Sequence, residues 1–367
     1  MSLGIGLIGS GFIGRVHALA YRAAPAVFGI ESPRLVALAD VDPGAEASAT
    51  EFGFDGFTTD WRELLADDAV DVIDIATPNR FHEAMALESI AAGKHVYCEK
   101  PLAPTAEGAD RMAAAATDAG VKTMVGFNYL KNPITALARD IIASGEIGEV
   151  FGFRSWHFED YMLDPDTLVN PWRLDPAEGD GVTSDLGSHA IARARFLVEP
   201  ITEVSAARTT VVAERPSTTG AVQVEVPDTV SALIRFEGGA TGTLEASWMA
   251  AGRKHTIAVE VWGSKGSLAF DFERLNELRL YRTGNPAGRD GVTTILAGPD
   301  LPDYAPFVPA PGHQLGFNDL KTIEVRDLLV GMEGDGPWPD FAEGAAVQRV
   351  VDAIVTSDRS GGWVTVD

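Results

Sequence analysis

The sequence is poor in cysteine and in basic residues. Cys98 is the single cysteine among 367 residues, which excludes an internal disulfide framework. Lysine and arginine together number 29 against 53 aspartates and glutamates, so the formal net charge is −24, and the basic residues form no run. Nucleic acids and anionic membranes are bound by clustered positive charge, so we expect neither as a partner.

Long apolar runs are also absent from the sequence. No stretch approaches the length of a membrane span, and the strand-like LGIGLIG at residues 3–9 leaves no room for the charged segment of a secretory signal. Together with the single cysteine, these features favour a cytoplasmic protein. The chain is longer than a usual single domain, which predicts two domains.

Strand-like runs alternate with helical patterns over the first third of the chain. The predicted strands are residues 3–9, 34–40, 70–77, 94–98 and 122–126, and the predicted helices are residues 12–24, 43–52, 80–92 and 105–119. This alternation indicates βαβ units, in which helices cover a parallel sheet on both faces. We therefore predict a doubly wound domain over residues 1–128.

Strand patterns follow one another more directly in the rest of the chain. The predicted strands lie between 201 and 283 and at 363–366, and the predicted helices are 134–144, one from about Ser184, 313–331 and 340–358. Gly238-Gly239 predicts a two-residue hairpin, and residues 284–312, rich in glycine and proline, predict a long surface loop. We expect residues 129–367 to form an α+β domain with a predominantly antiparallel open sheet.

The first predicted strand runs directly into a G-x-G-x-x-G pattern. The residues of interest in this pattern are Gly9, Gly11, Phe12, Ile13 and Gly14. The glycines permit a tight turn and a close approach of the backbone to a pyrophosphate, and the N-terminus of the following helix offers free N–H groups. Because the pattern lies between a predicted strand and a predicted helix, it indicates a dinucleotide-binding turn.

Asp40 ends the second predicted strand. Its carboxylate can accept hydrogen bonds from the adenosine ribose hydroxyls and would repel a 2′-phosphate. No arginine or lysine between residues 41 and 50 reverses that preference. The alternative is that Asp40 caps the helix that begins after Pro43. We favour the ribose role, which predicts NAD rather than NADP as the cofactor.

Polar residues gather where the next two predicted strands end. Their positions are Thr77, Asn79 and His82 after one strand, and Glu99 and Lys100 after the other. Ligands of a doubly wound sheet bind outside the carboxyl ends of its strands, so we expect these residues beside the dinucleotide. Pro101 restricts the backbone of Lys100 and thereby aims its side chain. Taken alone, a solvated lysine at a strand end is the better explanation of Lys100.

A second polar cluster, residues 184–189, lies at the head of a predicted helix in the other domain. Residues four apart on a helix share a face, so Asp185 and His189 can interact. A carboxylate beside a histidine orients the ring and favours its protonated form, which suits a group that accepts a proton. The spacing is equally consistent with Asp185 as a helix cap and His189 as a core histidine.

Six motifs occur in order along the chain: GSGFIG, ATPNRFHEAM, GKHVYCEKPLAPT, GFNY, NPWR and SDLGSH. In this combination the whole chain resembles the glucose–fructose oxidoreductases and inositol dehydrogenases, the Gfo/Idh/MocA-type oxidoreductases. The resemblance implies a Rossmann domain, an NAD cofactor, and hydride transfer between the nicotinamide and a carbinol carbon of a cyclic polyol or sugar. It also implies a homodimer or homotetramer that covers the open sheet.

Roles for individual residues also follow from the resemblance. Lys100 matches the lysine of the family's Glu-Lys-Pro motif, and Asp185 and His189 match its Asp/His dyad. This match implies that His189 accepts the hydroxyl proton, that Asp185 holds its ring, and that Lys100 hydrogen-bonds the developing alkoxide. Glu99 and Asn128 match positions near the nicotinamide ribose.

The substrate side is marked by aromatic and basic residues. Trp172 and Arg173, in NPWR, offer an aromatic face and a fork of donors that suit a polyhydroxylated ring. Tyr129, in GFNY, is another candidate, and His157, Trp248 and His313 with Asn318 are weaker ones. Trp172 is nearly as consistent with interior packing. We predict no metal site.

Asp74 has no role in this scheme. A carboxylate in a central parallel strand is unfavourable unless it is paired, and the sequence names no partner for it. Two other functions stay open: a glycoside hydrolase that retains NAD and oxidises its substrate transiently, and a non-catalytic dinucleotide-binding sensor. Intact Lys100, Asp185 and His189 disfavour the sensor, and sugar release without net NADH would indicate the hydrolase.

Overall fold

The computed structural model describes residues 2–367 and divides them into two compact units. The first unit runs to Lys131 and includes residues 316–346, and the second consists of residues 132–315 and 347–367. The sequence predicts a single boundary, whereas the chain returns to the first unit. None of the helices within the described residues combines the length and the apolar character that crossing a membrane requires.

A six-stranded parallel sheet forms the centre of the first unit. Its strands are β1 (Gly4–Ile8), β2 (Arg34–Ala39), β3 (Gly56–Thr58), β4 (Val72–Ile75), β5 (His95–Cys98) and β6 (Thr123–Val125). The spatial order β3-β2-β1-β4-β5-β6 places β1 between β2 and β4. This is a doubly wound order, whose ligand crevice lies at the carboxyl ends of β1 and β4, where the strand order reverses.

Five helices connect these strands. They are α1 (Phe12–Phe28), α2 (Glu46–Phe52), α3 (Arg62–Ala66), α4 (His82–Ala91) and α5 (Ala106–Ala119). α1 and α5 end where Gly29 and Gly120 adopt the left-handed conformation, each with φ of +66°, which favours glycine. The predicted doubly wound architecture is confirmed. β3 and α3 are absent from the prediction because β3 has no buried residue and α3 has only Leu64, so neither shows an apolar pattern.

A nine-stranded, mostly antiparallel sheet dominates the second unit, which begins with α6 (Pro133–Ala143). The strands of this unit are β7 (Val150–Phe158), β8 (Ile201–Thr209), β9 (Glu214–Ser217), β10 (Gly220–Gln223), β11 (Thr229–Phe236), β12 (Thr241–Ser247), β13 (Thr256–Gly263), β14 (Gly266–Asp271), β15 (Glu277–Arg282), β16 (Thr293–Leu296) and β17 (Val364–Thr365). The sheet order is β16-β15-β14-β13-β7-β12-β11-β8-β17, and β9 and β10 form a separate hairpin. β7 and β12 are parallel neighbours, which the prediction of a predominantly antiparallel sheet accommodates.

Two connections in this unit differ from the sequence prediction. The hairpin at Gly238-Gly239 has three residues between Phe236 and Ala240, since the Phe236 N–H donates to the Ala240 carbonyl at 2.9 Å. Gly239 has a φ of +92°, as the left-handed position of a three-residue hairpin requires. Residues 284–312 are not one loop, because β16 lies within them and pairs with β15.

A helix lies against one face of the large sheet. α7 (Ser188–Leu197) is entered through a π-helical turn at Thr183–Gly187. Arg193 Nη1 donates to Ser155 Oγ at 3.3 Å, and the ring centroids of His189 and His157 are 5.7 Å apart. Residues four apart on α7 therefore meet residues two apart on β7.

The chain then returns to the first unit with α8 (Phe317–Glu333), which packs against α1. Val325 and Leu328 of α8 share a core with Ile5 and Leu7 of β1, and all four are fully buried. α9 (Phe341–Ser360) follows and ends before β17. A distant part of the sequence thus completes the core of the doubly wound unit.

Candidate active site

Three glycines shape the turn between β1 and α1. Gly9 has a φ of +107°, and a Cβ at that position would lie 2.5 Å from the Ala76 carbonyl oxygen. A Cβ at Gly14 would lie 2.1 Å from the Gly9 carbonyl oxygen, whereas one at Gly11 would meet no atom within 4 Å. Space is thus open beside Gly11 at the N-terminus of α1, where N–H groups favour an anion. This geometry fits the pyrophosphate of a dinucleotide.

Two hydrophobic residues flank the turn. Phe12 is 76% exposed and its ring stacks on Phe317 at a centroid distance of 6.4 Å. Ile13 is partly buried and packs against the core of the first unit. Ile13 therefore joins the start of α1 to the core, and the backbone N–H groups of both residues belong to the first turn of the helix.

Asp40 follows β2 and faces the glycine turn. Its Oδ2 accepts hydrogen bonds from the backbone N–H of Ser10 at 2.8 Å and from Ser10 Oγ at 2.6 Å, and its Oδ1 accepts one from the Asp42 N–H at 3.0 Å. Burial alone would raise the pKa of Asp40, but these donors outweigh burial and lower it below its usual value. Asp42, whose Oδ1 accepts from the Gly44 N–H at 2.8 Å, supplies the cap that the alternative assigned to Asp40. A carboxylate has about four acceptor sites, so Asp40 can still bind ribose hydroxyls.

His82 lies between the segments that follow β4 and β5. Its Nδ1 lies 2.9 Å from the Pro101 carbonyl oxygen and its Nε2 lies 3.0 Å from the Thr77 carbonyl oxygen, and the side chain is fully buried. Thr77 and Asn79 are only half-buried at the same end of β4. His82 therefore has a structural role, because it connects the segments that follow β4 and β5. Thr77 and Asn79 remain accessible at the carboxyl end of β4.

The Glu-Lys-Pro segment directly follows β5. The Lys100–Pro101 peptide bond is cis, and Lys100 is half-buried. Glu99 is buried, its Oε2 accepts a hydrogen bond from the Lys100 N–H at 3.1 Å, and its Oε1 accepts one from Lys321 Nζ at 2.8 Å. Glu99 thus faces the interior of the first unit and anchors the backbone of Lys100.

A buried charge network beneath this segment explains Asp74. The His17 Nδ1 lies 2.9 Å from Asp74 Oδ2, its Nε2 lies 2.9 Å from Glu99 Oε1, and the Tyr21 hydroxyl donates to Asp74 Oδ2 at 2.9 Å. Lys321, on α8, contacts both Glu99 and Glu324. The carboxylate that the sequence leaves without a partner is therefore paired through α1, and α8 supplies a buried cation to the same network.

The network shifts the pKa values of its members in opposite directions. Burial alone would lower the pKa of His17, but Asp74, with Glu99, raises it to about 9. Burial alone would raise the pKa of Glu99, but Lys321 and His17 hold it well below its usual value. His17 is therefore a cation and Glu99 an anion at neutral pH. Lys321, 3.2 Å from His17 Nε2, opposes the charge on His17 but is itself compensated by two glutamates.

Two further candidates follow β6. Asn128 is buried, and its side-chain Nδ2 has no hydrogen-bond partner among the described residues. A buried amide donor without a partner is unfavourable, so this atom fits a polar group of a bound cofactor. Tyr129 packs on Phe317 at a ring centroid distance of 6.2 Å.

The second unit contains the predicted dyad. Asp185 lies in the π-helical turn, and its Oδ2 accepts hydrogen bonds from Arg173 Nη1 at 2.9 Å and from Trp248 Nε1 at 3.2 Å. His189, the second residue of α7, is buried with its ring beside His157. The Asp185–His189 pair stays a prediction, as does a meeting of His189 with Lys100, which belongs to the other unit.

Arg173 is held between a carboxylate and aromatic rings. Its guanidinium lies 4.9 Å from the centroid of Trp172 and 5.9 Å from that of Tyr161. Burial alone would lower the pKa of Arg173, but Asp185 outweighs it and raises the pKa further. Arg173 is therefore a fixed cation, and Tyr161 is an aromatic neighbour that the sequence analysis did not name.

The sequence pattern did not identify four members of the buried network, namely His17, Tyr21, Lys321 and Glu324. His17 lies three residues after the last glycine of the turn, a position whose burial on α1 follows from helical periodicity. Lys321 carries no such signal, because it comes from a helix more than 200 residues beyond β5.

Comparison with known proteins finds family matches for two segments of the chain. Residues 3–127 match the oxidoreductase family with an NAD-binding Rossmann fold, and residues 135–269 match the GFO/IDH/MocA C-terminal domain. Levoglucosan dehydrogenase of Pseudarthrobacter phenanthrenivorans is 37% identical, over 100% of this chain and 98% of that protein.

Two solved structures are similar over their full length. A NAD binding oxidoreductase from Klebsiella pneumoniae superposes with a TM-score of 0.95 at 44% identity, covering 100% of both chains. Levoglucosan dehydrogenase in complex with NADH and levoglucosan superposes with a TM-score of 0.96 at 38% identity, again covering 100% of both chains. The chain therefore belongs to the Gfo/Idh/MocA family of NAD-binding oxidoreductases, and its relatives include a levoglucosan dehydrogenase and an inositol 2-dehydrogenase.

Proposed function

We propose that this protein is an NAD-dependent dehydrogenase that oxidises a carbinol carbon of a cyclic sugar, with levoglucosan the first substrate to test. Inositols, free aldoses and other glycosides come next. The observation that carries the proposal is the full-length similarity to levoglucosan dehydrogenase, which has been solved with NADH and levoglucosan bound. The cytoplasmic setting expected from the sequence stays a prediction.

The first unit holds the cofactor in this proposal. The turn from Gly9 to Gly14 binds the pyrophosphate, and Asp40 binds the adenosine ribose hydroxyls. Thr77, Asn79 and the unpaired amide of Asn128 complete the polar contacts. NAD supplies a hydride acceptor at its nicotinamide ring. Glu99 contributes indirectly, because its carboxylate is committed to Lys321, to His17 and to the backbone of Lys100.

Two side chains carry the proton and charge transfers. His189 accepts the hydroxyl proton at a ring nitrogen as the hydride leaves the carbinol carbon. Lys100 donates a hydrogen bond to the developing alkoxide, and its backbone is held by Glu99. Asp185 stabilises the charged imidazole, while Arg173 and Trp248 fix the position of the carboxylate.

In this proposal, aromatic and basic side chains bind the substrate. Trp172 offers a flat face to the apolar side of a sugar ring, and the remaining donors of Arg173 can bind its hydroxyls. Tyr129 is held against Phe317 and is the candidate from the first unit.

The proposal is tested by a substrate screen. Purified protein is mixed with NAD or NADP and with levoglucosan, inositols, aldoses or glycosides, and the absorbance of the reduced cofactor is followed. We expect saturable NADH formation with levoglucosan or a related ring. Lys100→Ala and His189→Ala should each lower kcat by about 100- to 10,000-fold with NAD binding largely kept. Near-normal turnover in both variants would refute the assigned chemistry.

The same screen separates the rival functions. A hydrolase that retains its cofactor would release a free sugar from a glycoside without net NADH. A non-catalytic sensor would bind NAD and show neither product. Either result would replace the dehydrogenase as the assigned function.

A further inference from the structure

We propose that His157, Glu159 and His255 form a binding site for a divalent transition-metal cation of the zinc class. This three-residue site lies entirely in the second unit. It is independent of the dinucleotide turn, and it does not require the proposed reaction.

The strand register brings the three residues together. His157 and Glu159 are two apart at the end of β7, so their side chains point to the same face of the sheet. β13 pairs antiparallel with β7, with Thr256 opposite Phe158, and His255 immediately precedes Thr256. Continuing that register places His255 opposite Glu159. No sequence motif signals this convergence, because one ligand comes almost one hundred residues after the other two.

The donor atoms converge at the spacing of a metal site. One ligand atom from each residue lies within 4.8 Å of the others. His157 Nε2 is 3.4 Å from Glu159 Oε1, and His255 Nδ1 is 2.6 Å from the same oxygen. Zinc–ligand bonds of about 2.0–2.2 Å in tetrahedral geometry require donors about 3.3–3.6 Å apart. The His157–Glu159 spacing already meets this requirement, and the half-exposed His255 ring can rotate to reach it.

The placement of the side chains suits a cation. His157 is buried and Glu159 beside it is half-buried, so the imidazole and the carboxylate are held close together. Imidazole nitrogen and carboxylate oxygen are both common ligands of zinc.

Access and ligand chemistry define the cation. The side chains of His255 and Glu159 are 33% and 17% exposed, which leaves a path for an ion and room for water as a further ligand. Two imidazoles and a carboxylate favour zinc and similar borderline cations, whereas magnesium and calcium prefer oxygen ligands. Phe272 packs edge-on against the His255 ring, with the ring centroids 5.1 Å apart.

The site is tested by metal titration of tag-free, full-length protein that has been treated with a chelator and dialysed. Isothermal titration calorimetry with zinc ions alone should show saturable binding of one ion per chain. Cobalt ions should give the visible absorption bands of a low-coordinate nitrogen and oxygen site. Glu159→Gln and His255→Gln should each weaken zinc binding by at least about 100-fold, since even residues behind the ligands cost up to that much.

Matched controls distinguish this site from adventitious binding. Asp160→Asn removes a neighbouring carboxylate that pairs with Lys254, and His313→Gln removes an exposed imidazole elsewhere in the unit. Both should bind zinc as the wild type does, and circular dichroism checks that all four variants fold. Absence of saturable zinc binding in the wild type would overturn the proposal. Equal binding by wild type, Glu159→Gln and His255→Gln would also overturn it.

Discussion

At the scale of single residues, buried charges in the first unit are stabilised by partners that lie far away in the sequence. Asp74 in a central strand is unfavourable by itself, yet it contacts His17 and Tyr21 of α1. Glu99 is stabilised in the same way by His17 and Lys321. Because removing one member would leave a buried charge without compensation, the network couples the position of the Glu-Lys-Pro segment to the folding of the unit.

The charge of His17 predicts a specific pH dependence of stability. Its pKa is about 9 in the folded protein against an ordinary value of 6.5, so the charged ring stabilises the fold fully below pH 6.5. This contribution is lost as the pH rises from 6.5 through 9. The wild type should therefore lose up to about 3 kcal/mol of unfolding free energy relative to His17→Gln over that range.

Urea unfolding of both proteins at several pH values measures this difference. The His17→Gln variant is the control, because groups other than residue 17 titrate in both proteins. A stability difference that does not change between neutral and alkaline pH would contradict the charged state of His17.

We expect Asp40 to determine the choice between NAD and NADP. Asp40→Ala should weaken NAD binding by about 10- to 100-fold, because hydrogen bonds to a carboxylate are lost, and should affect NADP less. The neighbouring Asp42→Ala removes only a cap and should leave the ratio of NAD to NADP affinity unchanged. Fluorescence titration with both cofactors gives the two ratios. An unchanged ratio in Asp40→Ala would remove the ribose assignment.

At the scale of elements, we expect two glycines of the turn between β1 and α1 to differ in role, Gly14 being needed for folding and Gly11 for cofactor binding. Gly14→Ala should destabilise the fold by about 1–3 kcal/mol, because its Cβ would lie 2.1 Å from the Gly9 carbonyl oxygen. Gly11→Ala should keep the melting temperature, since its backbone φ of −63° suits alanine and no atom lies within 4 Å of the added Cβ. Gly11→Ala should still weaken NAD binding by at least about 10-fold by filling the space for the pyrophosphate.

Thermal melting without cofactor and NAD titration separate these effects. If Gly11→Ala bound NAD as tightly as the wild type, the open space beside residue 11 would not be the pyrophosphate site.

In the first unit, sequence periodicity predicts the elements that contain a buried apolar run better than those that do not. The strands and long helices of the first unit were expected because apolar residues recur at the strand or helix period. β3, α3 and β16 were not expected, since none of them contains a run of buried apolar residues, whereas the equally short β4, β5 and β6 are almost entirely buried. The hairpin at Gly239 was found at the right place with the wrong length, because glycine marks the left-handed position in both two- and three-residue turns.

The candidate site shows the same division. Gly9, Gly14 and Asp40 were expected where the structure has them, because local motifs determine a strand, a turn and a helix start. Arg173 and Trp248 donate to the Asp185 carboxylate, and the sequence did not link them to it, while the expected pairing of Asp185 with His189 stays a prediction. Contacts between residues far apart in sequence depend on packing, which no local pattern encodes.

At the scale of the whole molecule, the outer face of the large sheet predicts self-association. Leu233 on β11 and Trp262 on β13 are 52% and 37% exposed on the face opposite α7. An open sheet with exposed apolar residues favours association with another copy, so we expect a homodimer or homotetramer. Leu233→Lys with Trp262→Lys should lower the native mass.

Light scattering coupled to size-exclusion chromatography measures that mass. Leu19→Lys, which replaces an exposed apolar residue of α1, is the matched control and should leave the mass unchanged. A monomeric wild type would contradict the expectation of a homo-oligomer while leaving the assigned reaction untouched.

The central claim is that this protein moves hydride from a ring carbon of a sugar to NAD. Levoglucosan carrying deuterium at its ring carbons, incubated with the protein and NAD, tests the transfer directly by mass spectrometry of the reduced cofactor. The account predicts one deuterium in each NADH formed. The His189→Ala variant should form deuterated NADH only at its much lower residual rate. Formation of unlabelled NADH, or bound NAD with no reduction by levoglucosan or any other cyclic sugar or polyol, would contradict it.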